Sequence, residues 1–418
     1  MAESSKSNRW SLNNIVMMIL FIFMFTTSGY ALSIVNGFDF YYFLLLPITI
    51  MLLCILKRGI FLQTLDLFGC VYLLLMLASG ITCLLVPNNF IYTMKFILTV
   101  TFSFLFVINV SFADFKQMFI VFMRIITLAS LVLHFSINIF GTIPPLPLVT
   151  NINNVNYYNG FIAFAFAGYG VDRNTGIFWE PGIFSSFLIL ALVFVILDSP
   201  VKRKRFSVAI DVILFAIGIV TTNSTAGYLL FFLVLTLFFF RNRSITVGTV
   251  VVLTVALVLF FVMLINLNGI IDSLVEWNPR VFRKLVEEND SFTARAFSPI
   301  VNLQIFGRSP IFGVGLAEAG KQYAQLTTSS QTSTITYWMA SFGLFGVAFV
   351  GIACWSVLRY RQWNPFARII FLVIIAIITN KEPHTFFTAT YILLFYFIRQ
   401  RSLDTKGNRV KEKLSYEV

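Results

Sequence analysis

The sequence is poor in the residues that usually hold metals or bridge strands. Its 418 residues include two histidines, His134 and His384, and four cysteines, Cys54, Cys70, Cys83 and Cys354. Every cysteine falls inside an apolar run without metal-ligand spacing, which argues against a zinc site and a disulfide framework and reads them as small buried hydrophobes. Charge is scarce as well, at 11% of residues, whereas 58% are hydrophobic and 49 are phenylalanine. A soluble fold of this length could not withdraw so much apolar surface from water, so lipid is the solvent for most of the chain. The net charge of +12 does not point to nucleic acid, because the basic residues stand in short clusters between apolar runs. The first apolar run has no small-residue cleavage site and is followed closely by another, so it reads as a retained helix.

Apolar runs that can span a bilayer occur at about 12–35, 40–56, 67–86, 90–110, 118–141, 182–197, 207–222, 225–240, 245–266, 333–357, 366–380 and 385–398. The expectation is an all-α integral membrane protein of about twelve transmembrane helices, with a large, partly helical periplasmic loop between helices nine and ten. Residues 1–266 would hold nine helices and an outer loop at about 142–181. Residues 267–332 would form the large loop, 333–398 the last three helices, and 399–418 a basic cytoplasmic tail.

With the N-terminus in the cytoplasm, twenty of the 30 basic residues fall on the cytoplasmic side and eight on the other. The cytoplasmic set includes the run Lys202-Arg203-Lys204-Arg205 and six residues of the tail. Six of the eight outside residues lie in the one long loop, where the positive-inside rule has little force. The remaining two, Lys95 and Arg124, lie within helices. An ionisable residue inside a membrane is costly and usually faces the protein interior. Lys95, in the outer half of its helix, is a candidate contact for an anionic headgroup, whereas Arg124 lies near the cytoplasmic end and reads as snorkelling.

The two long outer segments differ in character. The first opens with Pro144-Pro145-Leu146-Pro147 and an asparagine-rich stretch, which forbid a continuous helix. Residues 160–170 are apolar yet too short to span, and read as re-entrant or interfacial. In the second, Ile271, Leu274 and Val275 form one apolar face, and Val281, Phe282, Leu285 and Val286 another. Asn289-Asp290-Ser291 offers an N-cap for a helix with Arg295, and Pro299 either kinks that helix or starts a new one. The whole would fold as a helical lid.

Chemistry concentrates in these outer segments. Arg173, Gly176 and Glu180-Pro181 lead into one helix, Arg295 lies in the loop, and Arg308 precedes Pro310, Gly313 and Gly315. A polar run then passes through Thr332 into the next helix. Arginines at a lipid–water boundary, with glycines that permit close backbone approach, suit a diphosphate headgroup, because guanidinium binds phosphate oxygens in pairs and keeps its charge.

The pattern Arg173-x-x-Gly176-x-Phe178-x-Glu180-Pro181, with Ser224-Thr225-Ala226, Arg295, Pro310-x-x-Gly313-x-Gly315 and Gly343-x-x-Gly346, resembles the Wzy-type O-antigen polymerase and ligase superfamily. The resemblance spans roughly residues 160–350. It implies transfer of an undecaprenyl-diphosphate-linked glycan to a sugar hydroxyl on the outer face of the bacterial inner membrane. The acceptor is another lipid-linked repeat in polymerases and lipid A-core in ligases. Family ligases have a histidine near the start of the helix after the large loop. The matching position here, near Thr332-Ser333, has none, which favours the polymerase.

On that resemblance Arg173 and Arg295 would bind the donor diphosphate, with Glu180 as the candidate base. Arg308, Gly176, Gly313, Gly315, Lys95 and Thr332 would complete the substrate site. No cofactor or metal is implied, because the outer side has no convincing carboxylate or His/Cys cluster. The partners would be the two lipid-linked glycans and membrane lipid, with a chain-length regulator as a further candidate. A lipid-linked glycan flippase is the rival from another class, opposed by the long loop and the sparse intramembrane charge. The two histidines read as packing or turn residues.

Overall fold

The computed structural model describes residues 12–35, 46–51, 53–54, 66–86, 89–141, 145–152, 154–168, 172–197, 205–240 and 289–416. Apolar composition and side-chain caps set the first helices. Helix α1 covers Leu12–Thr26 and ends in a turn and a short 3-10 helix, Ala31–Ile34. Helix α2, Leu67–Leu85, starts on Asp66, whose carboxylate accepts from the amides of Phe68 and Gly69 at 3.1 and 3.2 Å. Helix α3 is Phe90–Asn109, and α4, Phe112–Asn138, is capped by Ser111 Oγ on the Asp114 amide. These three are long and apolar enough to cross a membrane.

A small sheet interrupts the helices: β1 (Leu148–Thr150), β2 (Asn156–Asn159) and β3 (Phe164–Phe166), antiparallel in that order. The chain is therefore mostly helical rather than all-α. Of residues 160–170, expected to be re-entrant or interfacial, Phe164–Phe166 form β3. The asparagines that forbid a helix build the turn. Asn151 Oδ1 accepts from the Val155 amide at 3.0 Å, and Asn154 takes a positive φ of 59°.

The chain continues through α5 (Pro181–Leu197), α6 (Arg205–Thr221), α7 (Thr225–Phe240), α8 (Asn289–Arg308), α9 (Leu316–Leu326), α10 (Thr334–Phe342), α11 (Leu344–Leu358), α12 (Pro365–Lys381) and α13 (Thr388–Tyr416). Helices α5, α6, α7 and α11 are apolar but shorter than a straight span. Helix α5 is apolar all round and buried from Pro181 to Ile196, as a helix enclosed by others must be. The continuous helix expected over 333–357 is instead two. Gly343 breaks it with φ +60°, and a side chain there would meet the Ile311 carbonyl. Helix α8 runs through Pro299. The span expected at 245–266 lies outside the described residues, as do the loop helices before Glu288 with Arg280 and Arg283. Of the span expected at 40–56, residues 46–51 and 53–54 are described and helical.

Arg124 does not snorkel freely. Its Nε and Nη2 bond both carboxylate oxygens of Asp211 on α6, at 2.7 and 2.8 Å, with Asp211 buried. The geometry is the two-pronged one that guanidinium favours. Cys54, Cys70 and Cys354 face outward rather than into the core.

One end of the bundle gathers the junctions. Thr27 and Ser28, after α1, bond Thr388 at the start of α13. Asn89, before α3, accepts from the Ala317 amide on α9 at 2.6 Å. Lys381, at the end of α12, reaches Gly182 at the start of α5. The segments expected outside the membrane therefore share one end, next to the sheet.

Candidate active site

The segment before α5 is pinned by one asparagine. Asn174 donates through its side chain to Ser130 Oγ on α4 at 3.2 Å and Thr221 Oγ1 on α6 at 3.1 Å. Its Oδ1 accepts from the Gly176 amide, and its own amide donates to the Thr221 carbonyl. Further along, the Ala31 amide donates to the Ile177 carbonyl and the Trp179 amide to the Gly29 carbonyl. Both ends of this short segment are thus fixed, which places Arg173 and Glu180 together. Arg173 Nη2 lies 3.6 Å from Glu180 Oε1, with 18% and 34% of the side chains exposed. Glu180 sits directly before α5, where the amides of Ile183 and Phe184 donate to its carbonyl. Pro181 suits the first helical position because its missing N–H would have no partner there.

Arg295 arrives from the other side. Pro299 has no N–H to donate to the Arg295 carbonyl four residues back. Asn380 Nδ2 donates to that carbonyl instead, at 3.3 Å. Arg295 Nε in turn donates to the Lys381 carbonyl at 3.3 Å, and its Nη2 stands 3.6 Å from Glu382 Oε1. Lys381 Nζ donates to the Gly182 carbonyl at 2.7 Å and to Ser185 Oγ at 2.8 Å, both on α5. A side chain at Gly182 would collide with Glu382 Oε1, so glycine is needed for this approach.

Five charged groups thus share one site: Arg173 and Glu180 before α5, Arg295 on α8, and Lys381 with Glu382 at the end of α12. The charges of Glu382, Arg295, Glu180 and Arg173 all act on Lys381. Burial pushes the Lys381 ammonium down and the Glu382 carboxyl up, because a charge is poorly solvated there. Glu180 pushes Glu382 further up, and Arg295 and Lys381 oppose the shift. The Arg173 Nε is buried with no hydrogen-bond partner among the described residues. An unpaired guanidinium N–H beside a second arginine suits an anionic ligand.

Residues 210–349 match the family model described as O-antigen ligase. The match covers about a third of the chain and agrees with the resemblance to the O-antigen ligase and polymerase superfamily, without separating the two branches. No curated protein and no solved structure matches the chain. The matched stretch includes Arg295, Gly313, Gly315 and the Gly343-x-x-Gly346 pair, and ends before Lys381 and Glu382.

Several of the superfamily-like motif residues serve the fold. Gly313 and Gly315 take φ of +75° and +79°, and side chains there would meet the Ser341 carbonyl and the Asn89 amide group. The Pro310–Gly315 loop thereby packs on the break between α10 and α11. Gly176, with φ +61°, lies against the Phe184 ring. Arg308 lies thirteen residues beyond Arg295 on α8, about 20 Å along the helix, and bonds Gln322. Lys95 is half-buried on α3. Thr332 is buried near the cluster: its amide and that of Ser333 both donate to Ser298 Oγ, one turn after Arg295.

The site also includes residues that the motifs did not mark. Lys381, Glu382 and Ser185 are among them. The signal was a charged Lys-Glu-Pro-His turn between two apolar runs, a costly placement unless it is functional or paired. His384 belongs to the same turn. Its amide donates to Thr334 Oγ1 at 2.7 Å, which sets a histidine beside the start of α10, where superfamily ligases have theirs. Its ring is directed elsewhere, into a small cavity between α5, α12 and α13 lined by Ser186, Leu190, Ile378 and Thr390. Burial pushes its pKa down to about 3, so the ring is neutral. Among the described residues no group of three or more His, Cys, Asp or Glu side chains is placed to hold a metal ion.

Proposed function

We propose that this protein polymerises undecaprenyl-diphosphate-linked oligosaccharide repeats into an O-antigen-type polysaccharide at the periplasmic face of the inner membrane. The supporting observation is the convergence of Arg173 and Arg295, from segments far apart in sequence, on the Lys381–Glu382 turn. The two guanidiniums bind the donor's diphosphate and stabilise the negative charge that grows on it as its bond to the sugar breaks. The acceptor hydroxyl of a second lipid-linked repeat attacks the anomeric carbon. Glu180 pairs with Arg173 and orients it. Thr332 lies on the α10 side of the same site, whereas Arg308 stands about 20 Å away along α8 and Lys95 lies on α3.

Orientation follows from the charge count: the junctions gathered at the site end are the ones with few basic residues outside the long loop. Both termini then face the cytoplasm. The reaction is metal-independent in this reading, since two arginines supply the charge that a cation would otherwise bring.

The ligase is the second reading, favoured by one contact, the His384 amide on Thr334. Against it, the imidazole is buried against Thr390 and faces a cavity shared with Ser186, Leu190 and Ile378 rather than with the arginines. Deletion of the gene followed by analysis of surface glycan decides among the readings. Lipopolysaccharide capped with a single repeat is the expected result. Uncapped core with accumulated lipid-linked polymer would instead identify a ligase, and lost export of repeats a flippase.

A further inference from the structure

The two carboxylates of the cluster occupy opposite kinds of helix end. Glu180 directly precedes α5, at the positive end of the helix dipole. Glu382 caps the C-terminal end of α12, where the dipole disfavours a negative charge. Only 11% of the Glu382 side chain is exposed, against 34% for Glu180. The chain fixes this arrangement from below. Lys381 is tied to the Gly182 carbonyl and Ser185 Oγ, and the missing side chain at Gly182 leaves room for Glu382 Oε1. Two neighbouring carboxyl groups in such unlike surroundings are a pattern of acid–base sites.

We infer that Glu382 is the general base for the acceptor hydroxyl, with Lys381 as the positioning residue that holds it against α5. The assignment rests on the glycan-transfer reading above and names a residue that the superfamily motifs do not mark. In the step, the acceptor oxygen bonds to the anomeric carbon while the carbon–oxygen bond to the diphosphate breaks. That bond's electron pair stays on the diphosphate oxygen beside Arg173 and Arg295. The hydroxyl proton passes to the Glu382 carboxylate and then to water at the exposed edge of the side chain. The same arginine, Arg295, touches both the leaving group and the base, so release of the diphosphate leaves Glu382 ready to lose its proton.

A base acts only when unprotonated, so the rate must fall as pH drops through the pKa of Glu382. Burial raises that pKa, and the charge of Glu180 raises it further. The charged groups that act on Glu382 are Lys381 on its own helix end, Arg295 from α8 and Glu180 before α5. The acid limb therefore lies above the usual carboxylate range.

The experiment uses the full-length protein in lipid nanodiscs. Lipid-linked repeats extracted from cells lacking the gene serve as donor, and both repeats and lipid A-core are offered as acceptors. Glu382→Gln should lower turnover by about 10²–10⁴-fold, remove the acid limb and leave undecaprenyl diphosphate binding within a few-fold of the parent. Glu382→Asp should keep part of the activity, and formate should restore turnover to Glu382→Ala. Unchanged turnover in Glu382→Gln would overturn the assignment. Loss of turnover together with diphosphate binding, without formate rescue, would overturn it as well, in favour of a structural role. Failure of the glycan-transfer reading is separable: there the parent protein itself transfers glycan to neither acceptor.

Discussion

Asn380 donates to the carbonyl of Arg295 at 3.3 Å, the one helical acceptor that Pro299 cannot serve. A proline inside α8 thereby fastens that helix to the end of α12, and with it the guanidinium of Arg295 to the Lys381–Glu382 turn. Asn380→Ala should cost about 1–3 kcal/mol by leaving a partly buried acceptor unpaired. In a Pro299→Ala background, where an N–H is restored, the same change should cost clearly less. Thermal unfolding of the parent and the three variants in detergent checks this, and equal costs in both backgrounds would contradict it.

Arg173 and Arg295 should be needed for chain growth and Arg308 should not. Arg308 lies about 20 Å along α8 from the cluster and bonds Gln322 at its own end. Arg308→Ala should leave the length distribution of surface glycan close to normal, read on gels from complemented cells. Arg173→Lys and Arg295→Lys should both be poor, because an ammonium keeps the charge but loses the planar two-donor fork. A short-chain phenotype in Arg308→Ala as strong as in Arg295→Ala would show that the site extends along α8.

Gly313 and Gly315 should matter for folding more than for the diphosphate. A methyl group at Gly313 would run into the Ser341 carbonyl, in a backbone conformation that side chains resist. Gly313→Ala should destabilise the protein by more than about 1 kcal/mol and lower its amount in the membrane. Normal accumulation with weakened undecaprenyl diphosphate binding would return Gly313 to the substrate site.

The Arg124–Asp211 pair should hold α4 to α6 without touching the site. Asp211→Asn should lower stability, by less than the roughly 3–5 kcal/mol seen when a fully buried pair loses one partner, because 31% of the Arg124 side chain stays exposed. Replacing both residues by leucine should recover much of the loss. Unfolding in detergent reads the effect, and a double variant weaker than Asp211→Asn would contradict it.

The helices were legible because apolar runs bounded by charge or turn residues admit few other solutions in lipid. The break at Gly343 was not, since 333–357 is apolar on both sides of it and only packing against the Ile311–Gly313 loop requires the kink. The sheet was missed because its strands are three or four residues long, too short for a period to show. Arg173, Glu180 and Arg295 were readable from motif and placement. Lys381 and Glu382 were not, for their meeting with Gly182 and Ser185 joins residues nearly two hundred apart. The same holds for Asp211, whose partner Arg124 lies on another helix.

The most direct test of the account is chain growth by the purified protein in nanodiscs supplied only with lipid-linked repeats. The parent protein should produce a ladder of lengthening lipid-linked glycans and release undecaprenyl diphosphate. Arg173→Ala and Arg295→Ala should each slow the growth by about 10²–10³-fold, the loss typical when one charge-stabilising contact to the transition state is removed. A ladder of normal length and rate from either alanine variant would contradict the diphosphate clamp, and with it the proposed mechanism.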